Sequence, residues 1–188
     1  MSSDRIFHVS EEPDIRDFAP RPPPSLDAGV TDPVVWAISD RLLHNSLLPR
    51  DCPRVTFYAK GTTTEEDAAR FMVGTTASHV VAVESGWLPR IQAARLYRYE
   101  LPPETFVPAD HGAGYLVSRE AVRPIEVVAI PEILPALSAR DVELRVVPSL
   151  WKLRDAVYAS TLAFSFIRMR HAAPRSYDSQ QKVSGRQS

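Results

Sequence analysis

A histidine and a serine two residues apart near the amino terminus form the pattern with the clearest chemical use. The stretch RIFHVS, residues 5–10, is apolar and rich in β-formers, which predicts a short strand. Successive side chains of a strand point to opposite faces, so His8 and Ser10 share one face. An imidazole and a hydroxyl at this spacing could bind the hydroxyls of a ribose. The competing interpretation is a strand-end histidine whose ring is satisfied by backbone groups.

Two arginines flank a turn that is stiffened by prolines, in the stretch PRDCPR at residues 49–54. Guanidinium groups bind phosphate oxygens in pairs, and a stiff turn limits the entropy lost on binding. Arg50 and Arg54 are therefore candidates for holding a pyrophosphate. The alternative is that these arginines form surface salt bridges with Asp51.

Metal and covalent chemistry have little support in the residue pattern. The five histidines form no HxH, HxxxH or HExxH pair, and one cysteine cannot build a zinc site. Cys52 stands beside Asp51, which would raise its thiol pKa, so we expect an inert cysteine. The chain has no GxSxG elbow and no Walker or GxGxxG phosphate loop.

Composition places the chain among ordinary globular domains. It has 188 residues, of which 44% are hydrophobic and 24% charged, as in a single packed domain. A net charge of -1 disfavours nucleic acid as a partner. The single cysteine indicates a reducing compartment, and neither a signal peptide nor a membrane-spanning run is present. We therefore expect a cytoplasmic protein with no membrane association.

The elements that must position these residues form an α+β pattern. Apolar, β-rich runs predict strands at residues 5–9, 34–38, 54–59, 78–84, 95–101, 115–118, 125–130 and 142–147. Capping residues and prolines predict helices at residues 41–48, 64–72, 87–94 and 131–139. The runs at 115–118 and 125–130 are joined by a short polar link, which indicates a hairpin or two adjacent strands.

The last predicted element is a long helix that begins after Ser149 and ends near residue 170. Apolar residues lie on two of its sides, so we expect it to be buried within the domain or shared with a second copy in a homodimer. The single α+β domain then covers residues 1–170. Residues 171–188 are polar and aperiodic, which predicts a disordered tail.

The strand at His8 resembles the first core strand of the ADP-ribosyltransferase superfamily, in its His-Tyr-Glu branch. In that branch an apolar strand carries a histidine followed two residues later by Thr or Ser. The whole sequence also resembles a family of bacterial proteins without an assigned activity, through FHVSEEP, VVWAI, LLPRDCPRVTFYA and GYLVSREAVRPIEV, over about residues 5–170. The first resemblance implies an ADP-ribosyltransferase-like pair of small mixed sheets around a cleft, flanked by helices, and NAD as cofactor.

The same resemblance assigns roles to particular residues. His8 would bond a ribose hydroxyl, with Ser10 beside it, and Trp36 would replace the tyrosine that stacks on nicotinamide, with Tyr58 as a weaker substitute. The catalytic glutamate belongs near the start of a late strand, where this chain has Gly114 or Tyr115. Glu120, a few residues later, is the remaining candidate acid.

Three functions follow as alternatives. The first is an enzyme that transfers ADP-ribose or hydrolyses NAD, in which Glu120 stabilises the cation at the ribose carbon. The second is a module on the same scaffold that binds a nucleotide without turnover. The third is a dimeric interaction protein without enzymatic activity.

Overall fold

The computed structural model describes residues 5–23, 29–110 and 112–175. The strands of this part are β1 (Ile6–Ser10), β2 (Val35–Ser39), β3 (Arg54–Tyr58), β4 (His79–Glu84), β5 (Leu96–Leu101), β6 (Val107–Asp110), β7 (Tyr115–Ser118), β8 (Glu126–Ile130), β9 (Val142–Val147) and β10 (Ala163–Ile167). The helices are α1 (Glu65–Phe71), α2 (Leu88–Ala93), α3 (Ile133–Ser138) and α4 (Trp151–Tyr158). The predicted α+β class is confirmed.

The strands form two sheets. Sheet I has six strands in the order β6-β7-β2-β1-β5-β8, and its strand pairs are antiparallel. Sheet II has four strands in the order β10-β3-β4-β9, in which β4 and β9 are parallel and the other pairs are antiparallel. Sheet II is therefore mixed, whereas sheet I is not.

Apolar residues pack between the sheets and against both outer faces. Between the sheets, Phe7 and Ile38 of sheet I share a cluster with Val81 and Val83 of sheet II. The outer face of sheet I packs against the loop that carries Phe18. The outer face of sheet II packs against α1 and α4. Strand alternation thus assigns each side chain of β1 to the inner or the outer layer.

The predicted long C-terminal helix is wrong. Helix α4 ends at Tyr158, and Ala163–Ile167 forms β10, an edge strand paired with β3. The break follows from polar side chains after the helix: Ser160 Oγ donates to the Val157 carbonyl, and Thr161 N donates to Asp67 at 2.7 Å. The helix that was predicted to be apolar on two sides does not form, so the predicted homodimer loses its basis.

The predicted pairing of the two late strands is also wrong. Strand β7 pairs with β2 and with β6, a strand that the sequence analysis did not predict, whereas β8 pairs with β5 at the opposite edge of sheet I. Both runs do form strands. Their partners are distant in sequence, so a short polar link between them carries no information about pairing.

One predicted helix start is confirmed and one predicted helix is corrected. Thr64 caps α1, because its hydroxyl accepts a hydrogen bond from Asp67 N at 3.2 Å. The helix predicted at 41–48 is instead a 3-10 segment, Asp40–Ser46, with a kink at Leu42. None of the helices in the described part of the chain has the length and apolar character needed to cross a membrane.

The described chain continues five residues past the predicted domain boundary. Within residues 171–175, Ala173 N donates to the buried Glu84 carboxylate at 2.9 Å, and Trp151 Nε1 donates to the Ala173 carbonyl. This short stretch is held against the domain. The rest of the predicted tail, residues 176–188, lies outside the described residues.

Candidate functional site

Strands β1 and β2 separate at His8 and form a fork, which comprises residues 8–10 of β1 and residues 35–37 of β2. Their ladder contains the pairs Ile6↔Ser39 and Phe7↔Ile38 and does not extend further. On its other side, β1 stays paired with β5 as far as Ser10. Residues 8–10 and 35–37 therefore face each other without a continuous set of strand hydrogen bonds. The Trp36 carbonyl on one of these edges bonds to the His8 ring instead of to the backbone of the other strand.

The imidazole of His8 bridges the fork. Its Nδ1 lies 2.9 Å from the Trp36 carbonyl oxygen, and its ring centroid is 4.8 Å from that of Phe18. Burial lowers the pKa of His8 below its ordinary value, against the raising effect of the bond to Trp36. The ring is therefore neutral near pH 7. A carbonyl oxygen only accepts, so Nδ1 carries the proton and Nε2 keeps a lone pair.

Ser10 has a structural contact of its own. Its hydroxyl accepts a hydrogen bond from Glu12 N at 3.1 Å, which stabilises the turn that follows β1. Strand alternation places Ser10 on the same face as His8, as predicted. The pair lies on the outer face of sheet I, beneath the loop that carries Phe18.

Trp36 does not join His8 through its ring. Its indole lies on the inner face of sheet I and contacts Tyr115 edge-on, with ring centroids 5.8 Å apart. The Trp36 Nε1 atom is buried and has no hydrogen-bond partner among the described residues. His8 and Trp36 therefore meet through the Trp36 backbone, and their side chains occupy opposite faces. Tyr58, the weaker substitute, contacts His79 in sheet II.

Arg50 and Arg54 differ in exposure to solvent: Arg50 is exposed and Arg54 is buried. Arg50 is exposed, and its positive charge, together with that of Arg21, lowers the pKa of His8. It therefore lies close to the fork. The expected salt bridges with Asp51 do not form in the described part of the chain, where Asp51 instead faces His171 at 3.5 Å.

Arg54 is 5% exposed and lies on the inner face of sheet II. Its Nη1 donates to the Cys52 carbonyl at 3.1 Å, while its Nε is buried without a partner in the described residues. Burial lowers the pKa of Arg54 from its ordinary value. The guanidinium thus braces the proline turn with one nitrogen and leaves its opposite edge open.

Glu120 lines a different part of the surface. It is exposed in the turn after β7. Its backbone N–H donates a hydrogen bond to Ser118 Oγ at 3.1 Å. A cavity of about 280 Å³ lies beside it, between the loop at 29–34 and Thr105, and His8 is not among the residues that line it. Glu120 is therefore not grouped with His8 in a shared cavity.

Gly114, one of the two positions that the resemblance assigns to a catalytic acid, disfavours a side chain. Gly114 has φ +72°, and a Cβ there would lie 2.7 Å from Ser39 Oγ and 3.0 Å from Leu42 Cδ1. The next residue, Tyr115, points to the inner face. A cavity of about 210 Å³ at this point is lined by Ser39, Gly114, Tyr115 and the exposed Asp110.

Sequence reasoning missed three residues near these sites. Arg21 forms an isolated bridge with Val34 at the entrance of β2, and Arg168 follows β10 with a left-handed backbone, φ 55°. Tyr115 was noted only as a replacement for an acid. Arg168 could not be found from the sequence, because β10 itself was interpreted as helix.

The chemistry that the sequence disfavoured stays without support. No group of three or more potential metal ligands occurs among the residues that the structure describes. Cys52 is buried, and burial raises the pKa of its thiol to about 11. Burial, rather than the neighbouring Asp51, is the main cause of that shift. The expectation of an inert cysteine agrees with this environment.

Comparisons with known proteins give one result. A search of curated proteins and a search of solved structures each gave no match. A family described as "Family of unknown function (DUF6886)" matches residues 7–172, which include the fork, the proline turn and both sheets. Because that match covers most of the chain, the protein belongs to the family of unknown function DUF6886.

Proposed function

We propose that this domain binds an NAD-type nucleotide at the fork, in line with its resemblance to ADP-ribosyltransferases. The observation that carries the proposal is the separation of β1 and β2 at a neutral, oriented imidazole. Buried strands of one sheet normally pair along their length, because unpaired backbone groups cost free energy. A ligand with hydrogen-bonding groups would supply partners for backbone groups that the interrupted ladder leaves unpaired.

The atoms at the fork suit the ribose and amide groups of such a ligand. Because the Nδ1–H group of His8 donates a hydrogen bond to the Trp36 carbonyl, the Nε2 atom can accept one from a ribose hydroxyl. Backbone N–H and carbonyl groups at residues 8–10 and 35–37, other than the Trp36 carbonyl, would bind a carboxamide where the β1–β2 ladder stops. The Arg50 and Arg21 side chains would neutralise the diphosphate, since both charges act on His8.

Binding without turnover is the form of the proposal that we favour. Cleavage of the nicotinamide bond needs a carboxylate close to the ribose carbon. The chain has Gly114 and Tyr115, and no acid, at the place that the resemblance indicates, and Glu120 lines a cavity to which His8 does not contribute. An ADP-ribosyltransferase or NAD-glycohydrolase activity that uses Glu120 is the second candidate.

Calorimetric titration with NAD and with ADP-ribose tests the binding. We expect saturable binding by the wild-type chain and at least about tenfold weaker binding by His8→Phe, which keeps a ring against Phe18 but removes the acceptor. The matched control is His171→Phe, at an exposed histidine, which should bind like the wild type. Absence of binding by the wild type, or equal affinity of His8→Phe, would refute the proposal.

Turnover is tested separately by nicotinamide release. The favoured form predicts no release above the buffer rate, by the wild type or by Glu120→Gln. If the wild type releases nicotinamide and Glu120→Gln does not, the domain is an enzyme rather than a binding module. This result would leave the fork as the site, provided that His8→Phe also abolishes release.

A further inference from the structure

We propose that a phosphate-type oxyanion binds between the two sheets, at the open edge of Arg54, together with Arg168 and the Tyr115 hydroxyl. This site is distinct from the fork, because Arg54 lies on the inner face of sheet II and His8 on the outer face of sheet I. The inference therefore does not depend on the proposed binding of NAD.

The first support is the unsatisfied state of Arg54. The residue is 5% exposed, and none of the ion pairs among the described residues includes it. Buried charges in proteins are normally paired. Because Nη1 is directed at the Cys52 carbonyl, the Nε and Nη2 edge remains, and Nε is buried without a partner. This edge is the one that binds two oxygens of one anion.

The second support is a like charge at the same place. Ile167 pairs with Arg54 across β10 and β3, so Arg168 is the next residue beside it. Arg168 is half-buried, takes part in none of the described ion pairs, and has a left-handed backbone that nonglycine residues rarely adopt. Burial lowers the pKa of Arg54, and the charge of Arg168 acts on it in the same direction. Two adjacent cations in a poorly solvated space are stabilised by an anion between them.

The third support is the aromatic wall. Tyr115 packs against the cluster that contains Cys52, and its pKa responds to the charges of both Arg54 and Arg168. Its hydroxyl forms no hydrogen bond with the described residues, so it is free to donate one. Trp36, whose Nε1 is also buried without a partner, contacts the other side of Tyr115. Tyr115 and Arg168 are half-buried, so each is partly accessible to solvent.

The charges favour phosphate over chloride or a single carboxylate. Arg54 and Arg168 contribute two positive charges, and Arg50 lies near Arg168, where the charge of Asp51 offsets it. A doubly charged anion with several oxygens can accept from both guanidiniums and from Tyr115 at once. A chloride ion carries one negative charge on one acceptor atom, so it matches two guanidiniums and a hydroxyl less well than a doubly charged anion with several oxygens.

Calorimetric titration with inorganic phosphate and with pyrophosphate, at constant ionic strength set by chloride, tests this inference. We expect one saturable site per chain and at least about tenfold weaker binding by Arg168→Gln. Arg54→Met should lose the site too, but Arg54 also braces the proline turn, so Arg168→Gln and Tyr115→Phe provide tests that spare this brace. Arg123→Gln, an exposed arginine paired with Asp17, removes the same charge elsewhere and should bind like the wild type.

Three results would overturn the inference. The first is a lack of saturable phosphate binding above that of chloride. The second is equal binding by Arg168→Gln and Arg123→Gln. The third is loss of phosphate binding in His8→Phe with retention in Arg168→Gln, which would place the anion at the fork. Phosphate binding by a chain that binds no NAD would support the inference and refute the proposed function alone.

Discussion

Replacing His44 with leucine should flatten the dependence of stability on pH below neutrality. His44 lies in the 3-10 segment after β2, is 2% exposed, and its ring centroid is 4.4 Å from that of His79. Burial, with smaller contributions from the charges of His79, Arg140 and Arg41, lowers the pKa of His44 to about 3. The folded protein therefore holds this ring neutral.

The sign of the effect follows from proton binding. In the unfolded chain the histidine titrates near its ordinary pKa of about 6.5. Between that pH and about pH 3 the unfolded state carries a proton that the folded state lacks. The contribution of neutral His44 to the free energy of unfolding is therefore fully present above about pH 6.5 and is lost as the pH falls below that value. At about pH 4.5 this single group should lower the free energy of unfolding by about 3 kcal/mol.

Urea denaturation at about pH 7.5 and about pH 4.5 measures this loss. Carboxylates also contribute to acid destabilisation, so the informative quantity is the difference between the wild type and His44→Leu. We expect the wild type to lose about 3 kcal/mol more than the variant over this range. His171→Leu, at an exposed histidine, is the control and should follow the wild type. Equal pH dependence of the wild type and His44→Leu would refute the argument that His44 is buried and neutral.

Three further predictions concern positions with defined contacts. Gly114→Ala should lower the free energy of unfolding by about 2 kcal/mol or more, because φ is +72° and the new Cβ would meet Ser39 and Leu42. Thermal denaturation measures this loss, and an unchanged midpoint would contradict the prediction. Glu84→Gln should cost about 2 kcal/mol in urea denaturation, since the buried carboxylate accepts from Leu150 N at 3.2 Å and Ala173 N at 2.9 Å. A loss below about 0.5 kcal/mol would show that these bonds matter little. NAD affinity should be constant above about pH 6.5 and fall only at lower pH, as His8 Nε2 becomes protonated; tighter binding on acidification would contradict this.

Strands were predictable where an apolar, β-rich run lies between turn residues. Residues 54–59, 78–84 and 142–147 are apolar, β-rich runs between turn residues, and each contains a strand of the structure. Strand β10 was missed because its apolar residues continue the spacing of α4. Its alternation in AFSFI is a strand signal, but the helix ends through a contact with α1, which the local sequence does not contain.

The pairing of strands was not predictable, because partners are chosen by packing between distant segments. Nothing in residues 115–130 indicates that β7 pairs with β2 and β8 with β5. The interruption of the β1 ladder at His8 is a property of that packing as well. The sequence predicted the type and face of the His8 side chain, whereas its acceptor, the Trp36 carbonyl, depends on the fold.

The candidate site divides in the same way. His8 and Ser10 were found from strand alternation, and Arg50 from the proline turn, because these signals are local. Trp36 was expected beside the histidine ring, but the alternation of β2 directs its indole to the inner face. Arg168 had no local signal, since its place beside Arg54 is set by the register of β10 on β3.

The most direct test of nucleotide binding at the fork is an NMR titration of the labelled wild-type chain with NAD, followed through backbone amide shifts. We expect saturable shifts concentrated at Val9, Ser10 and residues 35–37, where β1 and β2 do not pair, with a matching change at the His8 imidazole. Shifts confined to the cavity beside Glu120, or no shift at saturating NAD, would contradict it.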